Sequence, residues 1–179
     1  MALTSLANVK EFLRITDTND DTLLTNLISR VEKEVKEYCQ RDFEAADYTE
    51  YYDGDGTDTL LVDNYPINSV SELYDDPDRE FGTDTLIDSS DYIIYSEEGK
   101  IVLDGATFTK GNKNIKIVYN AGYTTIPADL EQAVIKLVAA EYLEGQGSVN
   151  VVEGEGQQTR PQRLREEAYR ILDRYRRIK

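Results

Sequence analysis

The 179-residue chain has no histidine and no tryptophan, and only one cysteine, one methionine and four prolines. Without histidine it cannot build a Ser-His-Asp triad, a Cys-His dyad or a His-ligated zinc site, which removes several hydrolase and metalloenzyme classes at once. The lone Cys39 has no partner for an intramolecular disulfide or a C-x-x-C pair. A reducing compartment or a virion therefore suits the sequence better than a disulfide-rich secreted scaffold. No apolar run approaches the roughly 18 residues of a membrane span, and MALTSLANVK lacks the charged and apolar segments of a signal peptide. The expectation is a chain made without export and with no membrane partner.

What is present is enough for a real core: 40% of residues are hydrophobic and 13 are tyrosine. The net charge of -15 is unevenly spread. Residues 42–104 carry 19 acidic and 2 basic side chains, whereas residues 160–179 carry 8 basic and 3 acidic ones. Such polarity directs the basic end towards an acidic surface, either nucleic acid or protein, including a neighbouring copy of the same chain.

Hydrophobic spacing predicts an α+β fold. Leu6, Val9, Phe12 and Leu13 follow a helical period behind a Ser5 cap, giving a short helix over 5–14. After the breaker run Thr16–Asp21, an apolar stripe of Leu24, Leu27, Ile28, Val31, Val35 and Tyr38 predicts a long helix over 20–40. From Tyr48 the pattern shifts to short β-like runs, TEYYD, TLLVD, VSELYD, DYIIY, KIVLD and IKIVY, which predict an antiparallel insert over 48–120. DYIIY and KIVLD, joined by Ser96-Glu97-Glu98-Gly99, form the clearest hairpin, and Tyr65-Pro66 and Asp76-Pro77 mark bends. Pro127 at a first helical position opens a helix over 127–144 that is apolar on more than one face, hence largely buried. The expected organisation is one domain over 1–144, a glycine-rich flexible loop over 145–159 and a basic amphipathic helix over 160–179. In that last helix Leu164, Ala168, Ile171, Tyr175 and Ile178 trace a heptad-like seam.

Motifs for chemistry are weak. Asp17–Asp21 begins like a calcium loop but has Thr22 and Ile28 where glycine and glutamate are needed, so capping explains it better. Asp53–Asp58 reads as an Asp-Gly turn. Gly105–Lys113 has the wrong glycine spacing for a phosphate loop and joins two strands, and no dinucleotide fingerprint is present. Carboxylates crowd residues 42–104, yet nothing singles out an acid and base pair. No catalytic residue, metal site or cofactor is predicted.

Two stretches, ANVKEFLRITDTNDDTLLTNLISRVEKEVKEYCQRDF and VYNAGYTTIPADLEQAVIKLVAAEYL, resemble the head-tail connector (adaptor) proteins of long-tailed bacteriophages and their prophages. The resemblance covers about 65 of the 179 residues and is one of helix pattern, with Tyr38 and Cys39 just before Arg41-Asp42-Phe43. It implies a structural subunit of a ring, typically one of about twelve, in the virion neck after assembly in the bacterial cytoplasm. The implied partners are copies of itself, the portal protein and tail completion proteins, with packaged DNA passing through the lumen without sequence-specific binding. An acidic lumen would repel that DNA. The expected docking surface is the last helix, through Leu164, Ile171 and Tyr175 with Arg163, Arg170, Arg174 and Arg177, set on the portal or an adjacent subunit. The competing reading is an acidic binding module, such as a DNA mimic.

Overall fold

The structure, a computed structural model, describes residues 2–147 and 159–176. Most of the expected 145–159 loop therefore lies outside the described residues, as do the last three positions of the expected basic helix. The chain is α+β and divides into two compact units, Met1–Arg41 with Thr125–Lys179, and Asp42–Thr124.

The first unit is helical: α1 (Leu6–Leu13), α2 (Asp21–Cys39), α3 (Ala128–Gly145) and α4 (Arg160–Leu172). Ser5 caps α1 as its sequence suggests, its side chain accepting from Asn8 N at 3.2 Å. The acidic run before α2 works differently from a simple cap. Asp17 closes an Asx turn by accepting from Asn19 N at 3.0 Å. Asp20, at the N-cap position, makes no side-chain cap bond; its carboxylate accepts instead from Tyr142 Oη at 2.5 Å on α3. Pro127 sits at the N-cap of α3, one residue earlier than expected. Leu130, Ala133, Val134, Leu137, Val138, Ala139 and Ala140 of α3 are all buried, as an all-round apolar helix requires. The run from Leu24 to Val35 on α2 supplies the facing surface of the unit's core.

The second unit holds two three-stranded antiparallel sheets. One has the order β1 (Ala46–Gly54), β6 (Gly111–Ala121), β3 (Ile67–Asp75); the other β2 (Thr59–Leu61), β5 (Lys100–Leu103), β4 (Tyr92–Tyr95). All six β-like runs are strands, and β4–β5 is the expected hairpin, with Tyr95 opposite Lys100. Their inner faces share one core, which includes Leu60, Leu73, Ile101, Phe108, Ile117 and Tyr119.

Three polar clusters hold this unit together. Glu50 accepts from Tyr119 Oη at 2.6 Å and from Tyr52 Oη through one oxygen, and from Asn64 Nδ2 at 3.0 Å through the other. Burial, reinforced by the Glu50 bonds, pushes both phenols well above the usual tyrosine pKa, so they remain donors. Asn114, 1% exposed, accepts from Gly54 N and donates to Asp75 and to Thr109 O, so both halves of its amide are used. Asp76, also buried, accepts from the backbone N–H groups of Asp78, Glu80 and Phe81. Burial opposes its ionisation, but those donors together hold its pKa below the ordinary carboxylate range. Gly122, at φ 108°, closes the sheet end: a Cβ there would lie 2.3 Å from Glu44 O, so only glycine fits.

Candidate partner-binding surface

Helix α4 begins with a reciprocal capping box. Thr159 Oγ1 accepts from Gln162 N at 3.4 Å, and Gln162 Oε1 accepts from Thr159 N at 2.9 Å. Pro161 in the first turn costs no hydrogen bond. The helix ends at Leu172, and residues 173–176 form turns, so the expected seam does not continue helically to Tyr175.

The face that α4 buries is Pro161, Leu164, Ala168 and Leu172. Leu164 packs on Ala139 and Ala140 of α3, with Phe12, Leu13 and Leu143 alongside. The two alanines let the helices approach closely, because a helix surface without bulk accepts a leucine knob. Leu164 is thus directed into the chain's own core. Ile171 is half-buried, and Leu172 takes the inward position that the heptad reading gave to Ile171. Pro161 and Leu172 went unrecognised in the sequence although 161, 164, 168 and 172 share a helical stripe; the alternative register through 171 and 175 was equally apolar. Tyr175 is also half-buried and donates to Asp129 Oδ1 at 2.6 Å.

Polar contacts fasten the flanks of α4. Arg165 holds Glu144 in a two-pronged pair, and Lys136 reaches Glu167 at 2.8 Å, which together draw both glutamates below their usual pKa. Tyr169 donates to Glu34, and burial plus that bond push its phenol up to about 12. Tyr38 packs on Tyr169 at 4.8 Å between ring centroids and donates to Asp173 Oδ1 at 2.6 Å. Cys39 lies under the end of α4, its thiol 3.7 Å from Leu172 O and pushed by burial up to about 11, which makes it a packing residue and a poor nucleophile.

The predicted arginines therefore separate. Arg174 lies 3.8 Å from Asp129, and Arg177 is outside the described residues. Arg163 and Arg170, together with Arg160, are exposed on α4 and have no carboxylate in ion-pair range among the described residues. They form an exposed, arginine-rich surface on a helix whose other side is fixed by packing; Glu167, held by Lys136, lies within electrostatic reach of Arg163 and Arg170.

The sequence model of the head completion protein family matches residues 2–178. The chain belongs to the head completion protein family. It is accordingly a structural protein of the phage head-tail connector, with a part in virion assembly. A search of curated proteins by sequence finds no match. Among solved structures, the fold is similar to a chain in the neck of an empty gene transfer agent (GTA) particle computed with C6 symmetry. There the TM-score is 0.61 at 16% identity, covering 97% of this chain and 89% of that one. A chain in the neck of the native particle computed with C12 symmetry gives a TM-score of 0.60 at 16% identity, covering 97% and 88%. A chain of the native GTA virion gives 0.60 at 16% identity, covering 97% and 89%. At this identity the likeness is one of fold. Among the described residues no helix is long and apolar enough to cross a membrane.

Proposed function

We propose that this head completion protein forms a ring in the virion neck, where it joins the portal of the filled capsid to the tail completion proteins and leaves an open channel for DNA. The observation that carries the reading is the family match over nearly the whole chain, joined to a shared fold with neck chains from particles computed with C6 and C12 symmetry. The charge distribution supports a channel role: the 19 acidic side chains of residues 42–104 would repel phosphates from any lumen they line and let DNA slide without sticking. The exposed arginines of α4, backed by a helix locked on α3, suit a partner rich in carboxylates. Assembly takes place in the bacterial cytoplasm, and no cofactor or catalytic step is needed.

Molar mass by light scattering over a concentration series, with negative-stain imaging of the largest species, tests the ring. The expected result is closed rings with six- or twelve-fold symmetry. A 20.4 kDa species at every concentration, with or without purified portal, would remove the ring from this reading.

A further inference from the structure

Among the described residues, large exposed hydrophobic side chains are concentrated on the acidic unit: Tyr51, Leu61, Leu86, Ile93, Ile94 and Tyr95 lie there, against Leu23 in the helical one. Three of them share one surface. The β2–β5–β4 register sets Thr59 beside Val102 and Ile93, and Leu61 beside Lys100 and Tyr95. Leu60, Ile101 and Leu103, on the opposite face, are buried, so these six point outward. Leu61 is 61% exposed, Ile93 53% and Tyr95 41%, more than scattered surface residues require.

Carboxylates frame this apolar face at both ends. Asp104 N donates to Asp91 O, and Leu103 N donates to Asp58 O, each at 2.8 Å, which gathers the exposed Asp58, Asp91 and Asp104 at one end. Glu97 and Glu98, also exposed, lie in the β4–β5 turn at the other. The one base on the face, Lys100, is held by Glu98 at 2.7 Å and lies 4.1 Å above the Tyr95 ring. An apolar centre with a rim of one charge is the anatomy of a protein interface, and the occupant must be basic.

We propose that this face is the seat for helix α4 of a second copy of the chain, with Arg160, Arg163 and Arg170 answering the carboxylate rim. The dimensions agree. A four-residue strand spans about 13 Å between the acidic ends. Arg163 and Arg170 are about 10 Å apart along the helix, and Arg160 and Arg170 about 15 Å. Arginine also supplies the apolar half of the contact: its methylene stem covers Leu61 and Ile93 while the guanidinium reaches the rim or the Tyr95 ring. Arg160, Arg163 and Arg170, like Leu61, Ile93 and Tyr95, are exposed among the described residues. Because they are different surfaces, the contact is head-to-tail and propagates until a ring closes. The inference rests on the ring reading and names the surfaces that make it.

Two experiments on the full chain decide it. A variant with Ile93→Cys and a variant with Arg170→Cys, mixed under mild oxidation, should give a disulfide-linked dimer that neither gives alone; Cys39 is buried and stays out of the reaction. A dimer from Ile93→Cys alone, or none from the mixture in a preparation that contains rings, overturns the seat. Separately, Arg160→Glu, Arg163→Glu and Arg170→Glu together should raise the concentration for half-assembly by at least about 10-fold. Adding Asp58→Lys, Asp91→Lys and Asp104→Lys to the same chain should restore most of that loss, which an unfolded variant could not do. Rings of unchanged midpoint in the triple glutamate variant overturn the seat and leave the ring reading standing. A wild-type chain that never assembles overturns both.

Discussion

Tyr119→Ala lowers the stability of the β unit by about 3–5 kcal/mol, the range for deleting a buried aromatic ring. Tyr119 is 1% exposed at the centre of the shared core of both sheets, paired across β1 with Tyr48 at 5.7 Å between ring centroids. Its hydroxyl donates to Glu50 and accepts from Asn64 N at 3.2 Å, tying β1 and β6 to the bend before β3. The substitution therefore opens a cavity and strips partners from two polar groups. For a chain of this length the melting temperature falls by roughly 6–20 °C. Tyr119→Phe separates the two effects: the ring stays, Asn64 N–H loses its acceptor, and the loss shrinks to about 1–3 kcal/mol. A Tyr119→Ala melt within a degree or two of wild type would contradict this account of the core.

The second large effect is at Leu164. Leu164→Asp places a carboxylate on Ala139 and Ala140, among the apolar side chains of Phe12, Leu13 and Leu143. Burying an unpaired charge there costs several kcal/mol, more than the flanking pairs of α4 return, because Arg165–Glu144 and Lys136–Glu167 are partly solvated. Helix α4 should leave α3. Trypsin reports this directly, since Arg163, Arg165 and Arg170 are cut quickly only when the helix opens. Leu164→Ala, which leaves a cavity and no charge, costs about 2–5 kcal/mol and should be cut at an intermediate rate. Equal resistance in all three proteins would mean that α4 is not held by this seam.

Periodicity made most of this fold readable in advance. Helices α1, α2 and α3 follow from stripes such as Leu24, Leu27, Val31 and Val35, and the strands from β-branched and aromatic runs broken by Asp and Gly. These are local properties, fixed by which face must be buried. What the sequence did not show is set by contacts far apart in the chain. Glu50 meets Tyr119 across 69 positions, and Asn114 meets Gly54 across 60, so neither pairing has a local signature. The strand order β1–β6–β3 has the same origin, because the last strand enters between two earlier ones.

On α4 the difficulty was one of register. Ile171 and Leu172 are adjacent and apolar, and a basic helix with apolar residues at 164, 168, 171 and 172 can turn either one inward. Packing on Ala139 and Ala140 selects Leu164, Ala168 and Leu172, and leaves Arg163 and Arg170 facing solvent. The charge pattern was the more dependable guide. The break between acidic and balanced sequence at residue 42 coincides with the boundary between the two units. The same pattern suits the proposed partner chemistry: carboxylates and exposed aliphatic side chains on one unit, exposed arginines on the other.

Electron microscopy of particles made with and without this chain tests its role in joining head to tail most directly. Without it, DNA-filled heads and finished tails should accumulate separately, and the purified chain added to such a lysate should restore tailed particles. Tailed, infectious particles in undiminished number without the chain would contradict that role.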